Sequence, residues 1–148
     1  ARLIALFELS ARIQSEKPIH KGTIVSSRSV ADIFIPMLKN LPHEECWVLY
    51  LNNSGKILER QRISQGGVQA TVVDCRLILR RALELLAVQI VLVHNHPSGT
   101  IEPSRQDIDL TERVAQAAKL LDISLLDHVI IARDAHYSFR GHNLVLPL

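Results

Sequence analysis

Two histidines separated by one residue, His94 and His96, follow an apolar run at residues 88–93. Residues two apart on a β-strand point to the same side of the sheet and lie about 6.6 Å apart along the chain. Both imidazoles can therefore bind one ion that lies about 2 Å from a nitrogen of each ring. Pro97 has no amide hydrogen to donate to a sheet, so the strand is expected to end there. The pair predicts two nitrogen ligands at a strand tip.

Asp107 is the third candidate ligand. Ser104 is a good helix N-cap, and it would place Asp107 in the first turn of the following helix, close to the strand tip. Two histidine nitrogens, one carboxylate oxygen and an open fourth position are the pattern of a catalytic zinc site. A different explanation also fits, because serine and aspartate at this spacing commonly form a helix cap, and a buried histidine is usually a hydrogen-bonded core residue. The residues alone leave both interpretations open.

The elements that must position these residues alternate between helices and strands. Apolar residues at helical spacing predict helices over 1–16, 29–38, 74–86 and 104–121. Runs rich in β-branched and other apolar residues predict strands over 46–51, 56–63, 88–93 and 123–132, with a last hairpin near 134–136. The order predicts one mixed sheet with helices packed on both faces, in the α/β or α+β class.

Length and composition limit the class of protein. With 148 residues, of which 47% are hydrophobic, the chain is expected to form one globular domain. No apolar run approaches the roughly 18 residues of a transmembrane helix, and the start lacks a secretory pattern, which favours the cytoplasm. Cys46 and Cys75 form neither a CxxC pair nor a disulfide framework, so both are expected to be reduced. A formal net charge of +2 is too small to predict nucleic-acid binding.

The segment around the two histidines resembles a known family. His94-x-His96, with Ser104 and Asp107, matches the JAMM (MPN+) metalloprotease signature, in which a serine stands three residues before the aspartate. The resemblance to the RadC branch in bacteria is carried by His-Asn-His-Pro-Ser-Gly at 94–99, Pro-Ser-Arg at 103–105 and Leu-Asp-His at 126–128. The resemblance extends from about Gly22 to the C-terminus, and it favours the metal site.

The resemblance implies a fold and a cofactor. The fold would be a cytidine-deaminase-like three-layer fold, α/β (α+β mixed), with a central mixed β-sheet flanked by helices. One zinc ion per chain would be held by His94, His96 and Asp107. Residues 17–148 would form the RadC-type JAMM/MPN+ domain, and the helix at 1–16 would be the end of an N-terminal helix-hairpin-helix region that precedes this chain.

The resemblance also implies a reaction. A catalytic glutamate is expected at the start of a strand, where Glu45 fits best and Glu44 is the alternative. The predicted function is a zinc-dependent hydrolase of peptide or isopeptide bonds, in which Glu45 acts as general base toward a water activated by the metal. Ser104 is expected to donate a hydrogen bond to the oxyanion. RadC proteins are associated with DNA repair.

The alternative function belongs to a different class. The domain would be a non-catalytic module that metal stabilises and that acts in DNA repair or recombination by binding DNA or protein. DNA contacts would come from the preceding N-terminal region, and no membrane partner is expected. The predicted strand at 56–63 would pair with an extended substrate or with a second subunit in a dimer. His128 is expected to be a buried, hydrogen-bonded residue, and orientation of a metal ligand is the alternative.

Overall fold

Helices and strands alternate along the chain in the computed structural model, which describes residues 22–66 and 73–142. The helices of these ranges are α1 (Ser27–Leu38), α2 (Cys75–Glu84) and α3 (Arg105–Leu120). The strands are β1 (Glu45–Leu51), β2 (Ile57–Gln65), β3 (Gln89–Asn95), β4 (Ser124–Ala132) and β5 (Ala135–Ser138), and a short 3₁₀ helix (Arg140–His142) follows. The predicted helix at 1–16 lies outside the described residues.

The strands form one mixed sheet in the order β2-β1-β3-β4-β5. Strands β3 and β4 are parallel, whereas the other neighbouring pairs are antiparallel. Parallel neighbours need a long crossover connection, and α3 provides it between β3 and β4. The loop that leads from the tip of β3 into α3 therefore lies at the carboxyl end of a central strand.

The hairpin predicted between the first two strands is confirmed. β1 pairs antiparallel with β2, and the side chain of Asn52 organises the turn by accepting hydrogen bonds from the backbone N–H groups of Ser54 and Lys56, each 3.0 Å long. Gly55 has a φ of +79°, and a Cβ atom there would lie 2.8 Å from the carbonyl oxygen of Ile24. Glycine is therefore required at this turn, both for the backbone angle and for the close approach.

Alternating residues of the central strands enter two different cores. The first core lies between the sheet and α1, and its central-strand members are Leu49, Leu51, Val91 and Val93. The second lies between the sheet and the pair α2 and α3, and its central-strand members are Cys46, Val48, Tyr50, Ile90 and Leu92. Because successive side chains on a strand point to opposite faces, this pattern determines which polar residues at the strand ends can meet.

The predicted fold class is confirmed as an α+β arrangement of a mixed sheet between helices on both faces. The boundaries differ in detail, since β3 extends to Asn95 and includes His94, two residues beyond the predicted end. None of the helices within 22–66 and 73–142 has the length and apolar character needed to cross a bilayer. The cytoplasmic location and the domain boundary at residue 17 stay predictions.

Candidate metal centre

The candidate ligands come from the end of β3 and the start of α3. His94 is the last but one residue of β3. His96 lies just beyond the strand, yet its backbone N–H donates a 2.8 Å hydrogen bond to the carbonyl of Ile131 in β4. The extended geometry therefore continues to His96, as its predicted place beside His94 requires. Asp107 is in the first turn of α3.

A tight turn after His96 redirects the chain toward α3. The N–H of Gly99 donates to the carbonyl of His96 at 3.0 Å, and Gly99 has a φ of +87°. A Cβ atom at Gly99 would lie 3.1 Å from Nε of Arg133. Because L-residues with side chains rarely adopt this φ, the glycine allows the short return that brings α3 over the strand tip.

Three ligand atoms converge on one point. His94 Nε2 lies 2.9 Å from His96 Nε2 and 3.0 Å from Asp107 Oδ1, and His96 Nε2 lies 3.2 Å from Asp107 Oδ2. The three side chains are only 8%, 10% and 13% exposed. Ligand atoms about 2.0–2.1 Å from a tetrahedral zinc ion lie about 3.3 Å from one another. The three observed separations are slightly shorter, so the cluster would need to expand only slightly to hold this ion. The donor set of two imidazoles and one carboxylate also suits zinc.

The proton on His96 is located by a single hydrogen bond. His96 Nδ1 lies 2.7 Å from the main-chain carbonyl oxygen of Thr100. A carbonyl oxygen can only accept, so Nδ1 carries the proton and the neutral ring presents a lone pair at Nε2. The lone pair faces the point that His94 and Asp107 share, which is the arrangement that a metal ligand needs.

Asp107 is held as a carboxylate. Burial raises its pKa, but the close contacts with the His94 and His96 rings outweigh burial and hold the pKa well below its ordinary value. Burial lowers the pKa of His96, whereas the contacts with Asp107 and the Thr100 carbonyl raise it, and the net shift is upward. Burial, followed by the charge of Asp107, raises the pKa of the Cys46 thiol to about 12. The thiol next to the cluster therefore stays protonated at neutral pH, while the Asp107 carboxylate is charged.

Ser104 forms the predicted N-cap of α3. Its side chain accepts a 3.2 Å hydrogen bond from the N–H of Asp107, and the N–H of Ser104 donates to Asp107 Oδ2 at 2.6 Å. The Ser104 hydroxyl also donates to Oδ2 at 2.7 Å. The capping box uses Oδ2, while Oδ1 faces His94. The capping and metal-ligand interpretations are therefore compatible, because the cap orients the carboxylate toward the histidines.

Glu45 lies on the other face of the sheet. Its carboxylate accepts hydrogen bonds from Trp47 Nε1 at 2.8 Å, His43 Nε2 at 3.1 Å and Arg62 Nη1 at 3.3 Å. Asn95 anchors this segment to β3, since its Oδ1 accepts from the N–H of Glu45 at 2.7 Å and its Nδ2 donates to the carbonyl of His43 at 2.9 Å. The structure therefore does not bring the Glu45 carboxylate to the face on which His94 lies.

Glu44 lies on the face of the candidate ligands. Cys46 pairs with His94 across β1 and β3, and Glu44 is two residues before Cys46. The strand geometry extends to Glu44, whose carbonyl accepts a 2.7 Å hydrogen bond from the N–H of Gly66 beyond the end of β2. The negative charge of Glu44 contributes to the raised pKa of His96. Both glutamates line the cleft beside the cluster, and strand alternation places Glu44 on the same face as His94.

The cluster opens into a cleft of about 910 Å³. This volume falls within the roughly 300–1,000 Å³ that is usual for ligand sites. Its wall combines charged, polar and apolar side chains, among them Glu44, Ser98, Gln106, Leu110 and Arg113. The cleft can accept a segment with both polar and apolar groups.

The fold and the cluster together define an α+β domain with a candidate metal centre at a strand tip. The chain belongs to the RadC-like JAB domain family, whose family model matches residues 24–144. The resemblance noted in the sequence is therefore confirmed at the level of the family.

Curated relatives agree with this assignment. A protein named "UPF0758 protein" from Porphyromonas gingivalis is 48% identical over 97% of this chain and 63% of its own length. Proteins of the same name are 41% identical in Flavobacterium johnsoniae, over 93% of this chain and 60% of the relative, and 34% identical in Methanosarcina mazei, over 98% and 63%. The chain thus spans about three fifths of the length of these relatives.

His128 and Thr111 are two buried polar residues next to the cluster, and His94 Nδ1 lies 2.7 Å from His128 Nε2. The sequence predicts His128 as a buried, hydrogen-bonded residue, with orientation of a metal ligand as the alternative, and no sequence pattern predicts a role for Thr111. The burial of His128 is confirmed. The Leu-Asp-His string at 126–128 was a signal for His128, but the sequence contains no pattern that connects Thr111 to His94.

Proposed function

We propose that this domain is a zinc-dependent hydrolase of peptide or isopeptide bonds. The proposal is carried by the convergence of His94, His96 and Asp107 at the base of an open cleft. Electron-rich atoms 2.9–3.2 Å apart in a largely buried cluster need a proton or a cation between them. When bound, zinc supplies Lewis acidity that lowers the pKa of a water molecule to about 7 and polarises a carbonyl group.

Glu44 is proposed as the proton acceptor in place of Glu45. The Glu44 carboxylate would take the proton of the attacking water and later deliver it to the amine that leaves when the amide C–N bond breaks. Its position on the face of His94 and its electrostatic effect on His96 support this role. The Glu45 carboxylate already accepts three hydrogen bonds on the opposite face, which favours a structural role.

Ser104 is proposed to orient Asp107. A hydroxyl group donates one hydrogen bond at a time, and the Ser104 hydroxyl donates to Asp107 Oδ2. Donation to an oxyanion, the role predicted from the resemblance, would require this hydroxyl to turn away from the carboxylate. The cap geometry therefore supports a positioning role, in which Ser104 holds the ligand oxygen in place.

Zinc analysis together with peptide hydrolysis tests the function. The zinc-loaded protein is incubated with a mixture of fluorescence-quenched random peptides and with peptides joined through a lysine side chain. We expect near-stoichiometric zinc and cleavage of at least one probe by the wild-type chain, and neither with His96→Ala. Glu44→Gln is expected to bind zinc and to lose cleavage by roughly 100-fold or more, whereas Glu45→Gln, the matched control, keeps most of it.

The outcomes separate the proposal from its alternative. Stoichiometric zinc without cleavage of any probe by the wild-type chain would favour the non-catalytic, metal-stabilised module. Full cleavage by Glu44→Gln with loss of cleavage by Glu45→Gln would return the role of base to Glu45. Failure of the wild-type chain to bind zinc would contradict the proposed function itself.

A further inference from the structure

A ring of hydrogen bonds connects two of the candidate ligands through residues outside the metal cluster. His94 Nδ1 lies 2.7 Å from His128 Nε2, and His128 Nδ1 lies 2.6 Å from Thr111 Oγ1. Thr111 Oγ1 in turn lies 2.6 Å from the main-chain carbonyl oxygen of Asp107. The 3.0 Å contact between Asp107 Oδ1 and His94 Nε2, on the side of the candidate metal position, completes the ring of contacts without being one of its hydrogen bonds. Both His128 and Thr111 have no exposed surface.

The directions of the three hydrogen bonds that involve Thr111 and His128 follow from one main-chain acceptor. The carbonyl oxygen of Asp107 can only accept, so the Thr111 hydroxyl donates its single proton there. Thr111 Oγ1 must then accept from His128, which places the proton of His128 on Nδ1 and leaves its Nε2 as an acceptor. His94 therefore donates from Nδ1, and its Nε2 has a lone pair directed at the point shared with His96 and Asp107.

Packing restricts the His128 ring to the orientation that this ring of bonds needs. Phe139 stacks on His128 with ring centroids 4.8 Å apart and planes 10° from parallel. Rotation of the imidazole out of this plane would disrupt the stacked contact. Water cannot replace Thr111 as the acceptor without a change in packing, because Thr111 and His128 are both fully buried.

We propose that Thr111 and His128 are positioning residues that fix the metal-binding tautomer of His94 and connect it to the first turn of α3. With its Nδ1 proton fixed in this way, His94 presents Nε2 as the nitrogen that can bind an ion. Asp107 belongs to α3, and its main-chain carbonyl accepts the hydrogen bond from Thr111. The role of Thr111 and His128 in zinc binding rests on the proposed function. The tautomer of His94 can nevertheless be measured in the zinc-free chain. Without the Thr111 hydroxyl, His128 can shift its proton to Nε2, which would move the His94 proton to the nitrogen that faces the ion.

Nitrogen-15 NMR of the histidine rings in the zinc-free full chain measures the tautomer directly. Variants His94→Gln and His128→Gln assign the two sets of ring signals. In the wild-type chain we expect His94 and His128 each to carry a proton on Nδ1, and we expect His128 to show an unprotonated Nε2. A wild-type His94 whose Nδ1 lacks the proton would overturn the proposal, and this result needs no variant of Thr111.

A matched pair of variants tests the role of the Thr111 hydroxyl. Thr111→Val keeps the shape and removes the hydroxyl, whereas Thr111→Ser keeps the hydroxyl. In a competition titration with a chromophoric chelator, Thr111→Val should raise the Kd for zinc by roughly 10–100-fold, while Thr111→Ser keeps the wild-type value. Wild-type affinity in a folded Thr111→Val would overturn the proposal. If Thr111→Val fails to fold, the wild-type NMR result decides.

The two measurements separate this inference from the proposed function. Absence of zinc binding by the wild-type chain would contradict the function, while the NMR result would still establish or exclude the Nδ1-protonated tautomer of His94. Zinc binding together with a His94 that lacks the Nδ1 proton in the zinc-free chain would contradict the positioning role alone.

Discussion

Two polar clusters lie at the same end of the sheet, one on each face, and they differ in how their hydrogen-bonding groups are matched. On the face of α1, the Glu45 carboxylate receives hydrogen bonds from Trp47, His43 and Arg62. On the face of α2 and α3, the lone pair of His96 and the Asp107 carboxylate point toward the same small volume. The first cluster is complete within the protein, whereas the second is suited to a cation.

The comparison shows that residue type alone does not identify a functional site. Both clusters contain histidine and a carboxylate, and both are largely buried. The difference lies in the balance of donors and acceptors, because a carboxylate with an arginine and an indole is satisfied, whereas converging acceptors need an ion.

Addition of zinc should stabilise the domain strongly. At free zinc of roughly 1,000 times Kd, we expect a gain of about 4 kcal/mol in the free energy of unfolding, because the ion binds the folded cluster and not the unfolded chain. Urea unfolding with zinc and with a chelator measures the gain. His96→Ala is the control and should show little gain. An equal gain in both proteins would show that zinc acts elsewhere.

Asp107→Asn should weaken zinc binding while it preserves the helix cap. The amide has nearly the same shape and can still accept the hydrogen bond from the Ser104 N–H, but it lacks the charge that the ion needs. We expect the Kd for zinc to rise by at least about 100-fold. Loss of a residue that only hydrogen-bonds to a metal ligand already weakens binding by up to about 100-fold, and Asp107 is proposed to bind the ion itself. Asp109→Asn, an exposed acid on the same helix, is the matched control. Equal affinities in the two variants would remove Asp107 from the site.

Glu45→Gln should destabilise the hydrogen-bonded cluster around Glu45. It should leave zinc binding by the cluster of His94, His96 and Asp107 unchanged. Loss of the charge weakens the hydrogen bonds from Arg62 and His43, and we expect the free energy of unfolding to fall by about 1–3 kcal/mol with no change in the Kd for zinc. Chemical denaturation and chelator competition measure the two quantities. Glu44→Gln is the control and should leave stability nearly unchanged. A large change in zinc affinity with Glu45→Gln would show that the two clusters are coupled.

The smallest of these effects should be the pH dependence of the contribution that the Glu45 carboxylate makes to the free energy of unfolding. Burial raises the pKa of Glu45, but hydrogen bonds from His43 and Trp47 and the charge of Arg62 bring the pKa below its ordinary value of 4.5. A carboxyl group whose pKa is lowered on folding stabilises the native state above its unfolded pKa and loses this contribution as the pH falls through the folded pKa.

The difference in unfolding free energy between wild type and Glu45→Gln should therefore be constant above pH 4.5 and shrink below it. Denaturation series of both proteins across this range measure the difference. A difference that grows as the pH falls would mean that the pKa of Glu45 is raised in the folded state, and that its donors do not outweigh burial.

Local rules account for what could be predicted about the candidate site. The spacing of His94 and His96 places both on one side of a strand, and Ser104 places Asp107 at a helix start. These relations depend on residues close in sequence, and the structure contains the strand and the cap. The same rules could not choose between Glu44 and Glu45, because the choice depends on how β1 is paired with β3.

Strand period and helix capping act over a few residues, so the amino-acid sequence was enough to predict the alternation of helices and strands, the two histidines at a strand tip and the capped aspartate. The pairing of Cys46 with His94 is seen only in the folded domain, and it places Glu44 on the face of His94 and the Glu45 side chain on the opposite face. The tertiary structure also places His128 of β4 and Thr111 of α3 beside His94. The physical reason is that strand register and burial arise from packing between distant segments, whose side chains acquire their hydrogen-bond partners only when the core is formed.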